Sequence, residues 1–215
     1  MTEKAPSSRL LDRKDRERRL IEQPRSGRAA SHVDFLVLTE QLLRHSEERS
    51  KKSNNHSPYV LAGIPSLLSM IRALVIDCEM TASPFGNADL EFLIKGDDIQ
   101  NIFEKYVISG DLREDAKYLV ALRNEIVHPV HIGIDTKDHW PDILRILKIK
   151  GLLESSGSES GDYDYFWQMQ SHRLFQWAHD VSWAIAIQII ASYEKRAGDK
   201  TRSLKTFMDN FTRPL

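Results

Sequence analysis

The chain has 215 residues, enough for one domain with a substantial core, and its 30 basic and 31 acidic side chains leave a net charge of −1. This near-neutral charge excludes the strongly basic class of nucleic-acid-binding proteins, so any contact with nucleic acid must be local. The single cysteine, Cys78, lies in an apolar run and indicates a reducing compartment. We therefore expect a cytoplasmic protein, with a polar N-terminus unlike a signal peptide and no apolar run of the roughly 18 residues that a membrane span needs.

Residues 1–28 are predicted to form an arm separate from a single helical domain of residues 29–215. The arm has few large aliphatic side chains and is rich in basic ones, which are interspersed with acids: Arg9, Arg13, Lys14, Arg16, Arg18, Arg19, Arg25 and Arg28. Such a composition is typical of a flexible or partly helical arm, and also of a basic arm that contacts RNA or docks on a second protomer. The sequence leaves both possibilities open.

Two helices are predicted next. The first runs from a Ser31 cap to about Arg49, and a polar loop over residues 50–57 follows it. The second opens at Ser57-Pro58 and extends to about Thr81; it is apolar on most sides, which places it at the centre of a bundle. Pro65 within it predicts a kink or a break after Gly63.

Beyond turn residues 83–87, a short helix over residues 90–94 and another beginning near Asp97 and Asp98 are predicted. The two acids are explained by the positive end of the helix dipole, and no spaced set of ligands accompanies them, so we expect no metal. A further helix then starts after Gly110, where Asp111 is expected to cap the first turn and Glu114 to complete a capping box.

This motif helix carries a charge on its apolar face. The following apolar residues gather in one sector of a helical wheel: Leu112, Ala116, Leu119, Val120, Leu122, Ile126 and Val127. Arg123 points almost down the middle of that sector, where a guanidinium would cost several kcal/mol unless it is paired or opens onto a cleft. Asp77 or Glu79 is a plausible partner, although a solvated position for those acids fits equally well. Pro129 predicts that the helix ends at His128.

Arg123, Asn124 and His128 form the pattern Arg-Asn-x-x-x-His near the end of a helix in an all-helical chain. This pattern resembles the signature of the HEPN superfamily (higher eukaryote and prokaryote nucleotide-binding), which is Arg, a polar residue, three or more residues, then His. The resemblance implies a metal-independent endoribonuclease that acts as a dimer, often as a toxin or antiviral effector, although some members are non-catalytic. One variant of the family has a Tyr two residues after the His, which a partner nucleotidyltransferase modifies. Val130 stands there in this chain, so that form of control is not expected.

After Pro129 an extended segment over residues 130–135 is predicted, then a short helix to about Ile149 and a flexible loop over residues 155–161. His131 has too few neighbouring ligands for zinc and is taken as a structural or substrate-side residue. The last major helix runs from about Tyr163 or Asp164 to Arg196, roughly 50 Å at about 1.5 Å per residue, so it is expected to bend or to supply a dimer face. A short C-terminal helix follows. The fold class is therefore all-α: an up-and-down bundle with a long C-terminal helix and a small irregular insertion after the motif helix.

Arg123 and His128 suit RNA cleavage without a metal or cofactor. Such a reaction needs a base for the 2′-hydroxyl proton, an acid for the 5′-oxygen and a cation beside the phosphate. Histidine is able to serve as base or acid near neutral pH, and arginine offers a two-pronged contact to phosphate. One protomer supplies only one such histidine, so a homodimer is expected to complete the site.

Asn124 is expected to orient His128 or hold the phosphate, with Glu125 and His131 on the substrate side. The partners implied are RNA, a second copy of the chain, and an antitoxin or regulatory protein. The alternative is a non-catalytic HEPN-like helical module that binds nucleotide, RNA or protein, in which Arg123 pairs with a buried acid and His128 merely caps a helix. The near-neutral charge favours the alternative, and the intact Arg-Asn-His set favours the enzyme.

Overall fold

The computed structural model of the protein describes residues 31–52, 56–82, 98–106, 108–128, 142–154 and 165–197. Within these ranges it contains seven helices: α1 (Ser31–Lys52), α2 (Tyr59–Ala82), α3 (Asp98–Lys105), α4 (Asp111–Val127), α5 (Asp142–Ile149), α6 (Tyr165–Gln168) and α7 (His172–Ala197). The predicted all-α helical bundle is confirmed. The predictions for the N-terminal arm, residues 83–97, His131 and its neighbours, the loop over residues 155–161 and the C-terminal helix lie outside the described residues.

Helix α2 is the centre of the bundle, as its apolar sequence predicts. It packs against α1, α4 and α7, and α1 and α4 each also pack against α7. Its buried apolar residues occur on most sides of the helix: Val60, Ile64, Leu67, Leu68, Met70, Ile71, Ala73, Leu74, Val75 and Cys78. Because four helices share this surface, the transfer of apolar area from water into one continuous core is the main force holding the bundle together.

Side-chain contacts fix the relative direction of α1 and α2. His32 near the start of α1 contacts Asp77 near the end of α2, and the ring of His45 lies 5.6 Å from that of Tyr59 at the start of α2. The two helices are therefore antiparallel, as the short connection between them requires.

The same reasoning orients α7. His172 at its start contacts Ser46, and His179, two turns further along, contacts Glu40. Helix α1 is thus antiparallel to α7 as well as to α2, so α2 and α7 run in the same direction.

Gly63 allows α2 and α7 to approach closely. A Cβ atom at this position would lie 2.0 Å from Cζ of Phe175, a ring that is fully buried. The predicted break after Gly63 is wrong, because α2 continues through Pro65 to Ala82. Pro65 lies within the second turn of the helix, where it removes only one early hydrogen bond, and burial of the long apolar surface outweighs that loss.

The apolar character of α2 also corrects the expectation that no run is long enough for a membrane span. Residues Tyr59–Glu79 are long and apolar enough to cross a membrane, by length and composition alone. Much of this stretch, 56%, is buried inside the bundle. A core helix that packs against three others passes the same test, although Tyr59, Ala62 and Arg72 remain exposed.

The single long C-terminal helix predicted from about residue 163 is instead two helices. Helix α6 ends at Gln168, and α7 begins at His172 after a short extended segment in which Ser171 forms an isolated bridge with His56. The hydroxyl of Ser171 accepts a hydrogen bond from the backbone N–H of Leu174 (3.4 Å), the geometry of a helix N-cap. The helical spacing of apolar residues in the sequence does not reveal this cap. Ser171 is buried and falls in line with the apolar positions, so the pattern continues through it.

Candidate functional site

Helix α4 positions the three residues of the Arg-Asn-His pattern. It begins after Gly110, whose φ of 65° lies in the left-handed region that favours glycine. Asp111 is the first helical residue, and no side chain caps the helix, so the predicted capping box is wrong. Glu114 instead contacts Lys117 Nζ at 2.7 Å. The two acids still lie in the first turn, where their charge stabilises the positive end of the helix dipole.

The end of α4 agrees with the prediction from Pro129. The helix stops at Val127, and His128 leaves the helical region with φ −128° and ψ 66°. Its backbone N–H still donates to the carbonyl oxygen of Asn124 at 2.8 Å, which holds the residue against the last turn. The His128 side chain is exposed.

Arg123 lies on the side of α4 that carries the buried residues, but its guanidinium is not in the dry core. Ala116, Leu119 and Leu122 are fully buried, whereas Arg123, in the last turn, is half-buried. Its Nη1 donates to Oδ1 of Asn124 at 3.0 Å on the exposed side of the contact. Because this hydrogen bond of the guanidinium is exposed, the charged head avoids the desolvation cost that the sequence pattern suggested.

The acids proposed as partners of Arg123 make other contacts. Asp77 accepts the backbone N–H of His32 at 3.3 Å and also contacts the His32 ring. Glu79, which is buried, accepts the hydroxyl of Tyr106 at 2.7 Å and lies 3.4 Å from Lys105 Nζ. Two residues apart on a helix, the two side chains point about 160° apart, so Asp77 contacts α1 and Glu79 contacts the end of α3.

Asn124 connects the other two residues of the pattern. Its side-chain oxygen holds the Arg123 guanidinium, and its backbone oxygen holds the N–H of His128. Arg123 lies within the regular helix, whereas His128 lies just beyond its end in a non-helical conformation, so a helical wheel does not fix the angle between their side chains. One protomer therefore presents a half-buried arginine and an exposed histidine at one helix end.

The two residues predicted on the substrate side are Glu125 and His131. Glu125 is half-buried on α4, and His131 lies outside the described residues. In the part of the chain that the structure describes, no group of three or more His, Cys, Asp or Glu side chains is placed to hold a metal ion.

A second set of polar contacts, which the sequence patterns do not indicate, joins α1 to α7. Nδ1 of His172 lies 3.0 Å from the hydroxyl of the buried Ser46, and Nε2 of His179 lies 2.8 Å from Oε1 of Glu40. The spacing of seven residues between the histidines places both on one face of α7, and this is the only signal the sequence carries.

No protein-family model, curated protein or solved structure matches this chain. The interpretation of the site therefore depends on its own residues and on the resemblance of the Arg-Asn-His pattern.

Proposed function

We propose that the protein is a metal-independent endoribonuclease in which Arg123, Asn124 and His128 of two protomers form one cleavage site. The observation that carries this proposal is the placement of Arg123, Asn124 and His128 at one helix end, where Oδ1 of Asn124 accepts a hydrogen bond from the Arg123 guanidinium and the His128 side chain is exposed. A hydrogen bond that restrains the guanidinium favours catalysis, because small displacements of reacting groups cost large factors in rate. The resemblance to the HEPN signature and the all-α bundle support the same assignment.

The chemistry follows from the two side-chain types. One histidine accepts the proton of the ribose 2′-hydroxyl, whose oxygen attacks the adjacent phosphorus and forms a 2′,3′-cyclic phosphate. The bond from phosphorus to the 5′-oxygen breaks, and a second histidine donates a proton to that oxygen. Arg123 stabilises the additional negative charge on the phosphoryl oxygens. Each chain supplies one His128, and the reaction uses two histidines. A two-fold arrangement of protomers is therefore the simplest way to bring two histidines to one phosphate.

The proposal extends to the setting of the reaction. RNA is the substrate, with Glu125 and His131 on the substrate side, and a second copy of the chain completes the site. A cytoplasmic toxin or antiviral effector, restrained by an antitoxin or regulatory protein, is the biological role that the resemblance implies. The net charge of −1 favours the second candidate, a non-catalytic helical module that binds nucleotide, RNA or protein.

Cleavage of total RNA in the presence of EDTA tests the proposal. The wild-type protein is expected to cut RNA, and Arg123→Ala and His128→Ala are each expected to lose about 100-fold or more, the usual contribution of a general acid or base. Arg49→Ala and His45→Ala are matched controls, since both side chains are exposed on α1. Circular dichroism and size-exclusion chromatography should show an unchanged fold and dimer in all four variants.

An inert wild-type protein, or variants at positions 123 and 128 that cut as fast as the controls, would refute the enzyme. Mixing equal amounts of wild type and His128→Ala tests the shared site. Random exchange gives about one quarter wild-type dimers and one half mixed dimers with a single His128, so a site that needs two histidines should keep about a quarter of the activity of the same total amount of wild type. Activity that stays at about half, despite demonstrated exchange of protomers, would show that each chain acts alone.

A further inference from the structure

The inward face of α1 is polar in comparison with that of its neighbours. Its buried positions follow helical spacing and consist of His32, Leu36, Thr39 and Ser46. Only one of these four is a large aliphatic residue, whereas the buried positions of α2 are almost all apolar. Phe35, Leu42 and Leu43 add partly buried apolar contacts with the core, so α1 combines apolar packing with the hydrogen bonds and charge of its fully buried positions.

Two histidines of α7 supply these polar contacts. His172 contacts Ser46 at 3.0 Å, and His179 contacts Glu40 at 2.8 Å, so the pairs lie nearly two turns apart on each helix. Both join α7 to α1, and each includes a group that titrates near neutral pH. A third histidine, His32, joins the beginning of α1 to Asp77 of α2.

The surroundings of His179 favour its protonated form. The described charged groups beside it are Glu40 on α1 and Asp180 on its own helix, whose Oδ1 lies 3.6 Å from Nδ1; Trp183 stacks on the ring at 6.1 Å between centroids. Burial lowers the pKa of His179, but the hydrogen bond and charge of Glu40, together with Asp180, outweigh it and raise the pKa above the ordinary value of 6.5. A raised pKa means that the contact stabilises the fold fully below pH 6.5 and is lost as the pH rises through the folded-state pKa.

His172 behaves in the opposite way. Burial lowers the pKa of His172 below 6.5 and outweighs the opposing charge of Glu47 on α1. Lys51, also on α1, lowers this pKa further. Nδ1 of the half-buried ring lies 3.0 Å from the Ser46 hydroxyl, and partial burial makes the protonated form less favourable. Its contribution is therefore present above pH 6.5 and is lost as the pH falls through the folded-state value.

We propose that α1 is a pH-gated helix, fastened to α7 by the His172–Ser46 and His179–Glu40 contacts in a window near neutral pH and loosened on either side of it. Helix α1 packs far more extensively against α2 than against α7, so loosening separates α1 from α7 and leaves α1 on α2. The device is separate from the site at the end of α4 and does not depend on the proposed ribonuclease activity.

Hydrogen exchange of the full chain, measured by mass spectrometry from pH 5 to 9 (roughly, the range in which histidines titrate), tests the proposal. After correction for intrinsic exchange, amides of residues 31–52 should be best protected near neutral pH. On each side of neutral pH, the protection factors of these amides should fall by about threefold to tenfold. One unit of difference between the folded and unfolded pKa corresponds to a tenfold change in the opening equilibrium. Amides in the middle of α2 should change less over the same range.

Variants separate the two limbs of this profile. His179→Gln should remove the alkaline loss, and Glu40→Gln should do the same while leaving the histidine in place. His172→Gln should remove the acidic loss, and His45→Gln, whose ring is more than half exposed, should leave both limbs unchanged. The proposal is overturned if α1 and α2 lose protection together at every pH, or if the wild-type profile persists in His179→Gln, Glu40→Gln and His172→Gln.

Discussion

Substitution of Gly63 by alanine tests how closely α2 and α7 are packed. The added Cβ would lie 2.0, 2.5 and 2.6 Å from three ring carbons of Phe175, whereas ordinary van der Waals contact begins at 3.4 Å. The ring must therefore move by about 1.4 Å at its tip, within a close-packed core where it has no exposed surface. Overpacking of this kind costs about 1–3 kcal/mol.

The alanine also has a favourable effect, because it restricts the unfolded chain more than glycine does and favours helix by about 0.5–1 kcal/mol. Since the 2.0 Å approach is severe, we expect the upper part of the overpacking range and a net loss of about 2 kcal/mol in the free energy of unfolding. Urea unfolding followed by far-ultraviolet circular dichroism measures this value directly.

A double-mutant cycle with Phe175→Leu identifies the cause. Leucine removes the ring atoms that the Cβ would meet, so Gly63→Ala should cost at least about 1 kcal/mol less when it is combined with Phe175→Leu than when it is made alone. Additive effects, or a Gly63→Ala protein as stable as wild type, would refute the argument from close helix approach.

Two further stability measurements concern single polar contacts. Tyr106→Phe removes the hydroxyl that donates a hydrogen bond to the buried Glu79 at 2.7 Å. The loss of a hydrogen bond to a charged group should lower the free energy of unfolding by about 1.5–3 kcal/mol. An effect below about 0.5 kcal/mol would mean that other contacts satisfy Glu79. Ser171→Ala removes the cap on the Leu174 N–H and should cost about 1 kcal/mol. Ser66→Ala, at an exposed hydroxyl that bonds within α2, is the matched control and should change stability by less than about 0.5 kcal/mol.

The sequence predicted part of the local geometry of the candidate site, and its chemistry stays a prediction. Pro129 restricts the residue before it, so the end of α4 at His128 follows from local sterics and needs no tertiary information. The position of Arg123 does not, because a helical wheel gives the direction of Cβ but not the path of a long side chain toward water. The contacts of Asp77 and Glu79 also depend on which helices pack beside α2. The suggested pairing with Arg123 therefore gives way to contacts with His32, Tyr106 and Lys105.

The sequence by itself determined that the protein is all-α, that α2 is central and where α4 ends, because apolar period and proline sterics act within a few residues. Only the tertiary structure decided the break between α6 and α7, the unbroken passage of α2 through Pro65, and the contacts of His172 and His179 with α1. Each of these depends on groups far apart in the chain: His179 and Glu40 are separated by 139 residues. Local pattern specifies which face of a helix is buried, whereas the partner that this face meets is set by the packing of the whole bundle.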